Sequence, residues 1–187
     1  MKQPLLVSVE EAVEQILAGQ VIAYPTEAVY GLGCDPFNKM AFEQLLQLKN
    51  RSLDKGVILI AASVVQLNEL VEIHNQSWTQ TVLETWQDVS QPMTWVLPVR
   101  PEVPIWLTGG RSTLAVRVTH HPVAKALCEK LEMPIVSTSA NISGQAPILS
   151  ATACAKAFPR LAIVDGDLMG QAQPSQIWDA ATMTRLR

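Results

Sequence analysis

The stretch SVEEAVEQILAGQVIAYPTE, residues 8–27, switches from a helical period to an extended one within a few positions. Ser8 and Glu11 have the spacing of a capping box, Val9, Val13, Ile16 and Leu17 recur at helical spacing, and Gly19 supplies a stop. Val21-Ile22-Ala23-Tyr24 then reads as an apolar strand that Pro25 ends. Helices alternating with buried strands are the mark of an α/β fold.

The alternation continues outward from this stretch. Asn38 opens a helix carrying Phe42, Leu45, Leu46 and Leu48, and a strand follows from Val57 to Ala61. Ser63 is expected to cap a helix through Val71, and a further helical stretch runs from Ser77 to Trp86 ahead of a strand from Met93 to Leu97. Strands at Leu114 to Val118 and Ile135 to Thr138 flank a helix that begins at Pro122, the residue suited to a first helical position. A helix near Ala151 to Ala157, a strand from Leu161 to Val164 and an extended tail from Ile177 complete the chain. The units are unequal, no internal repeat is visible, and no Gly/Ser-rich or Pro-rich linker divides them. One α/β domain spanning residues 1–187, built on a mixed sheet, is therefore expected.

Composition narrows the function. Hydrophobic residues make up 48% of the 187 positions and charged ones 17%, which favours a dense core over disorder. The longest apolar run, Val57 to Ala62, falls far short of the roughly 20 residues a membrane-spanning helix needs. Leu5-Leu6-Val7 is too short for the core of a signal peptide, so the expected location is the cytoplasm. Cys34, Cys128 and Cys154 are odd in number and never form a C-x-x-C pair, which points to reduced core thiols and away from a zinc site. A net charge of −3 argues against a general grip on nucleic acid, so any RNA role is local or indirect.

There is no Walker-type loop, Gly31-Leu32-Gly33 lacks the third glycine of a dinucleotide turn, and neither H-E-x-x-H nor G-x-S-x-G occurs. Three polar segments remain, each following an apolar element. In Tyr24-Pro25-Thr26-Glu27, Thr26 can offer a hydroxyl to a ligand while Tyr24 packs, although the same residues also suit a strand-ending turn. In Lys49-Asn50-Arg51, an extended backbone would point both cations the same way as a clamp for phosphate or carboxylate. Together with Lys55 they could equally form an exposed cationic loop. In the run from Ser137 to Gly144, extended geometry would set Ser137, Ser139 and Asn141 on one face, although a capped turn uses the same residue types. His120 and His121 lack metal-ligating neighbours, and packing at a helix start outweighs a metal role. Arg117 sits inside a strand, where it must meet solvent, a carboxylate or an anionic ligand, and the ligand is slightly favoured.

Taken together these segments resemble the YrdC/TsaC family in its short bacterial form. The resemblance runs from AYPTEAVYGLGCDP at Ala23, through K-x-R at Lys49 and Arg51 and the strand bearing Thr94, to AVRV at Ala115, STSANxSG at Ser137 and PSxIxD at Pro174. It implies a YrdC-like twisted mixed sheet with flanking helices and a positively charged concave face. It further implies synthesis of threonylcarbamoyl-adenylate and pyrophosphate from L-threonine, bicarbonate and ATP, and Mg²⁺ is the chemical expectation for such a triphosphate substrate. The product would pass to separate tRNA threonylcarbamoyl-transfer proteins. Carried over residue by residue, the resemblance makes Lys49 and Arg51 catalytic and phosphate-binding. It places Ser137, Ser139, Asn141, Ser143, Arg117 and Ser175 around ATP, and Thr26 and Tyr24 at threonine. The chain departs from the family at Ser90-Gln91, where a Pro-Gly pair is usual, and at Gln176. An RNA-binding module without chemistry is the main rival, opposed by the acidic balance and the lack of an aromatic-basic stripe. A carbamoyl-adenylate handling domain, like the YrdC-like part of hydrogenase maturation proteins, is the other.

Overall fold

Strands that carry apolar residues on both sides need a cover on each face, and this chain provides two. The computed structural model describes residues 5–52, 56–171 and 173–187. Lys55 lies outside them. In chain order the elements are β1 (Leu5–Val7), α1 (Val9–Leu17), β2 (Ile22–Pro25), β3 (Tyr30–Gly33), α2 (Lys39–Lys49), β4 (Ile58–Ala61) and α3 (Thr79–Thr85). Then come β5 (Met93–Pro98), α4 (Ile105–Thr108), β6 (Thr113–Val118), α5 (Pro122–Leu131), β7 (Ile135–Ser139), α6 (Ala151–Ala157), β8 (Ala162–Val164), β9 (Gln176–Asp179) and β10 (Thr184–Arg185). The described strands join in one mixed sheet, ordered β1-β8-β2-β3-β7-β4-β6-β5-β9-β10. Pairs β1/β8, β2/β8, β4/β6 and β5/β9 are parallel and the others antiparallel.

Side-chain alternation sorts the core. Ile22, Tyr24, Ile60 and Ile135 pack with Ala12 and Ile16 of α1 and with Ala124, Leu127 and Cys128 of α5. Their neighbours Ala23, Leu59, Ala61 and Val136 face the other way, against Phe42 and Leu45 of α2, Val82 and Trp86 near α3, and Cys154 of α6. The local signals act as read: Ser8 Oγ accepts from the Glu11 N–H while Glu11 Oε2 accepts from the Ser8 N–H, and Asn38 Oδ1 accepts from Ala41. All three cysteines are free, and burial pushes each thiol up to about 12. Among the described residues no helix is long and apolar enough to cross a membrane, and no group of three or more His, Cys, Asp or Glu could hold a metal.

Several elements depart from expectation, the short helix α4 among them. The helix anticipated from Ser63 to Val71 is only a 3-10 turn at Val65–Leu67, because the chain there bends to bridge Val71 with Val99. Strand β1 arises from a segment too short to read, and β3 from one whose glycines argue against a strand. The β3 glycines have a steric cause: a Cβ on Gly33 would sit 2.6 Å from Val136 O and 2.7 Å from Tyr24 Cε1, and one on Gly31 would lie 3.4 Å from Tyr24 Cζ. The Tyr24 ring lies across the strand where side chains would otherwise stand. Gly33→Ala is expected to lower stability by about 1–3 kcal/mol through overpacking. Chemical denaturation checks this, and an unchanged midpoint would show slack between β2 and β3.

Candidate active site

One rung of the sheet crosses five strands: Ser137 of β7 pairs with Ile58 of β4, Ile58 with Ala115 of β6, Ala115 with Val96 of β5, and Val96 with Asp179 of β9. All five residues line a cavity of about 640 Å³, a volume suited to a small ligand. Residues two apart in a strand share a face, so this floor lies on the same side as Ile60 and Ile135. Helices α1 and α5 therefore cover one part of that side, and the part running toward β9 stays open. Connections close the walls: Thr26 and Val29 between β2 and β3, Arg51 and Gly56 between α2 and β4, Thr108 and Arg111 at and after α4, Ser175 before β9, and the terminal Arg187.

Four arginines thus share one wall. Arg51 Nη2 donates to Gly56 O at 3.1 Å, Arg111 Nη1 to Thr108 O at 3.2 Å, and Arg187 Nη2 to Ser175 O at 3.1 Å. Burial, with Arg117 and then Arg51 adding to it, lowers the pKa of Arg187, so Arg187 lies within repelling reach of Arg117 and Arg51. Arg117 Nη1 lies 3.0 Å from Glu27 Oε2. Arg117 has a carboxylate partner and also lines the cavity, so it meets a carboxylate while facing the space where an anionic ligand would sit. Cations held together against repulsion make a site for a small polyanion.

The proposed two-cation clamp needs correction. Lys49 ends α2, and Asn50 follows in the left-handed region with φ 49° and ψ 51°, so the segment is not extended. Arg51 reaches the cavity wall, whereas Lys49 is 2% exposed and does not line it. The Lys49 ammonium donates to Ser139 O, to Asn141 O at 2.8 Å and to Asn141 Oδ1 at 3.3 Å. Burial, with a smaller contribution from Arg51, lowers its pKa to about 8.

The loop that Lys49 holds also differs from an extended run. Ser137 and Ser139 line the cavity with Thr138, but β7 ends at Ser139 and the Asn141 N–H turns back to Ser139 O. Asn141 Oδ1 accepts from Ser139 Oγ at 2.5 Å, and Asn141 Nδ2 donates to Ile142 O and Gln145 O. Asn141 and Ser143 thus stand off the cavity wall, and the Ser143 N–H donates to Lys49 O. Thr26 does line the cavity, its hydroxyl donating to Val29 O at 2.6 Å. Tyr24 is fully buried among the residues under α1 and α5, and burial raises its pKa. A Tyr24 contact with threonine is therefore corrected to a packing role. Ser175 lines the cavity with its Oγ 2.8 Å from Thr94 Oγ1. Gln176 Oε1 accepts from Trp178 Nε1, a structural use for the residue that departs from the family.

His120 and His121 are packing residues, with ring nitrogens near Trp86 O and Asp167 O. Arg111, Arg187, Asp179 and Glu27 were not singled out from the sequence. The glycine pair before Arg111 and the acidic residue inside PTEA were the available signals, and nothing local marks Arg187.

A family model described as Telomere recombination, covering Sua5, YciO and YrdC, matches residues 14–187. The threonylcarbamoyl-AMP synthase of Hydrogenovibrio crunogenus is 60% identical over 187 residues, 100% of both chains. Among solved structures, P. abyssi Sua5 complexed with L-threonine superposes with a TM-score of 0.83 at 32% identity, covering 92% of this chain and 51% of that one. E. coli YciO gives 0.77 at 28% identity, covering 91% and 82%. The chain spans about half the length of Sua5 and the whole length of the Hydrogenovibrio relative. With the family model covering residues 14–187 and a relative this similar from end to end, the chain belongs to the Sua5/YciO/YrdC family.

Proposed function

We propose that this protein makes threonylcarbamoyl-AMP and pyrophosphate from L-threonine, bicarbonate or CO₂, and ATP. Four arginines on one small-ligand cavity carry the proposal, because they suit a triphosphate and a carboxylate bound side by side. The relative named for this synthase and the Sua5 structure with bound L-threonine support it. Threonine's amine takes up CO₂ to give a carbamate, a carbamate oxygen attacks the α-phosphorus, and the bond to pyrophosphate breaks. Such transfers leave the protein mainly positioning and charge stabilisation to supply.

Arg51 neutralises the triphosphate, and Ser137, Ser139 and Ser175 present hydroxyls to its oxygens. Thr26, whose hydrogen already serves Val29 O, accepts from the amino group of threonine. Lys49 acts from behind, with three N–H donors on three oxygens of the serine-rich loop, and Asn141 and Ser143 shape that loop. Among the described residues the donor set gives Mg²⁺ no resident cage: Asp179 is a carboxylate on the wall, and its Oδ1 accepts from Thr182. Mg²⁺ is therefore proposed as the counter-ion that enters with ATP, held by phosphates and water. The product passes to separate tRNA threonylcarbamoyl-transfer proteins in the cytoplasm, with RNA contact weak or indirect.

Purified protein given ATP, Mg²⁺ and bicarbonate is expected to release pyrophosphate only when threonine is present, with the adenylate detected by mass spectrometry. Threonine-independent release, or none, would overturn the proposal. Arg51→Ala is expected to lower kcat by about 10²–10³-fold, as for loss of one preorganised donor, with the fold retained. Lys49 is charged below about pH 8 and neutral above it. Turnover should therefore show an alkaline limb near that pH, as the ammonium loses the proton that gives it three donors. A flat profile from pH 7 to 9.5 would remove the ammonium from the mechanism.

A further inference from the structure

The carboxylate of Glu27 is 2% exposed, does not line the cavity, and yet touches a residue that does. Its Oε1 accepts from Thr119 Oγ1 at 2.7 Å and from the His120 N–H at 3.3 Å. Its Oε2 lies 3.0 Å from Arg117 Nη1 as a charge contact without hydrogen-bond alignment. Arg117 is 7% exposed, and its Nε–H, buried, has no hydrogen-bond partner. A buried orphan donor on a cavity-lining guanidinium calls for an acceptor, and an anionic substrate group provides one.

Two further observations fix the direction of the effect. Arg51 and Arg187 are the cations whose field, with that of Arg117, bears on this wall, so Arg117 sits where like charges oppose it. Burial pushes the Glu27 carboxyl up, but the Arg117 charge and the Thr119 hydroxyl outweigh burial and hold it below its ordinary value. Glu27 is thus a fixed negative charge behind the wall, and removing it leaves Arg117 buried without that carboxylate partner. The backbone agrees: Glu27 lies inside the turn closed by Thr26 N–H to Val29 O, and its own carbonyl accepts from Gln171.

We propose that Glu27 is a positioning residue for the reaction, locking the Arg117 guanidinium on the cavity wall so that it can receive an anionic substrate group, a carboxylate or a phosphate. This inference rests on the synthase reading for its substrates. Glu27 itself touches neither substrate. Its charge holds Arg117, and Thr119 and the His120 N–H hold its carboxylate.

The test is a double-mutant cycle of Glu27→Gln and Arg117→Ala. Calorimetry reads L-threonine and ATP binding, and threonine-dependent pyrophosphate release gives KM and kcat. Glu27→Gln in the otherwise native protein should raise Kd and KM at least tenfold for one substrate, threonine if Arg117 takes its carboxylate and ATP if it takes a phosphate. In the Arg117→Ala background the same change should move Kd less than twofold, since the groups act as a unit. Glu27→Asp should recover part of the affinity. Equal losses in both backgrounds, or unchanged binding of both substrates by Glu27→Gln, would overturn the proposal. If Glu27→Gln does not fold, Thr119→Val, which removes one donor to the carboxylate, should produce a smaller shift for one substrate, and no shift would count against it. If the native protein binds both substrates but releases no pyrophosphate, the synthase reading falls while the binding cycle still decides Glu27. If it binds neither, both fall.

Discussion

Four guanidiniums share one cavity wall, Arg187 within repelling reach of Arg117 and Arg51, and the rest of the site is organised around holding them there. Three of them are tied to main-chain carbonyls, Arg51 to Gly56, Arg111 to Thr108 and Arg187 to Ser175. A carbonyl orients a guanidinium without cancelling its charge. Arg117 meets a carboxylate, that of Glu27, and it is the arginine contributed by a strand, where it is 7% exposed. Glu27 thus neutralises the most buried of the four guanidiniums. Lys49, the cation most deeply placed nearby, is turned away to brace the loop after β7.

The sheet determines where such a wall can exist. A mixed sheet with apolar residues on both sides would bury both faces completely if helices covered it from edge to edge. Here α1 and α5 pack over Ile22, Tyr24, Ile60 and Ile135. The strip from Ser137 to Asp179 carries smaller or polar residues among its apolar ones. Short connections then bring Arg51, Arg111, Ser175 and Arg187 from distant parts of the chain to the rim of that strip.

Much of this was legible in the sequence where a local rule applies. The capping box at Ser8, the Asn38 cap, the Pro122 start and most strands need only neighbouring residues to be read. What stayed hidden depends on contacts across the sheet. β3 looks like a glycine-rich turn until the Tyr24 ring is seen lying over Gly31 and Gly33. The pairing of Lys49 with Arg51 failed because one left-handed residue, Asn50, separates their directions, and nothing adjacent announces it. Thr26, Arg51, Ser137, Ser139 and Ser175 were recognisable from motifs and do meet at the cavity. Asp179 stands in the PSxIxD motif but was not singled out, and Arg187 has no motif; the place of both depends on β9 lying beside β5.

The arginine wall also reconciles an acidic protein with an anionic ligand. The chain has 17 acidic and 14 basic residues, yet four of its seven arginines and, among the described residues, no lysine line the cavity. Beyond a Debye length, about 8 Å at physiological ionic strength, the net negative charge is largely screened, so an approaching anion feels the charges nearest to it. Arginine suits that place better than lysine because its planar fork matches phosphate and carboxylate and its charge survives partial burial. A long polyanion such as RNA needs many phosphates neutralised along an open face. A cavity of about 640 Å³ cannot offer that, so positive charge concentrated on one of its walls favours a small anionic ligand over a nucleic-acid chain.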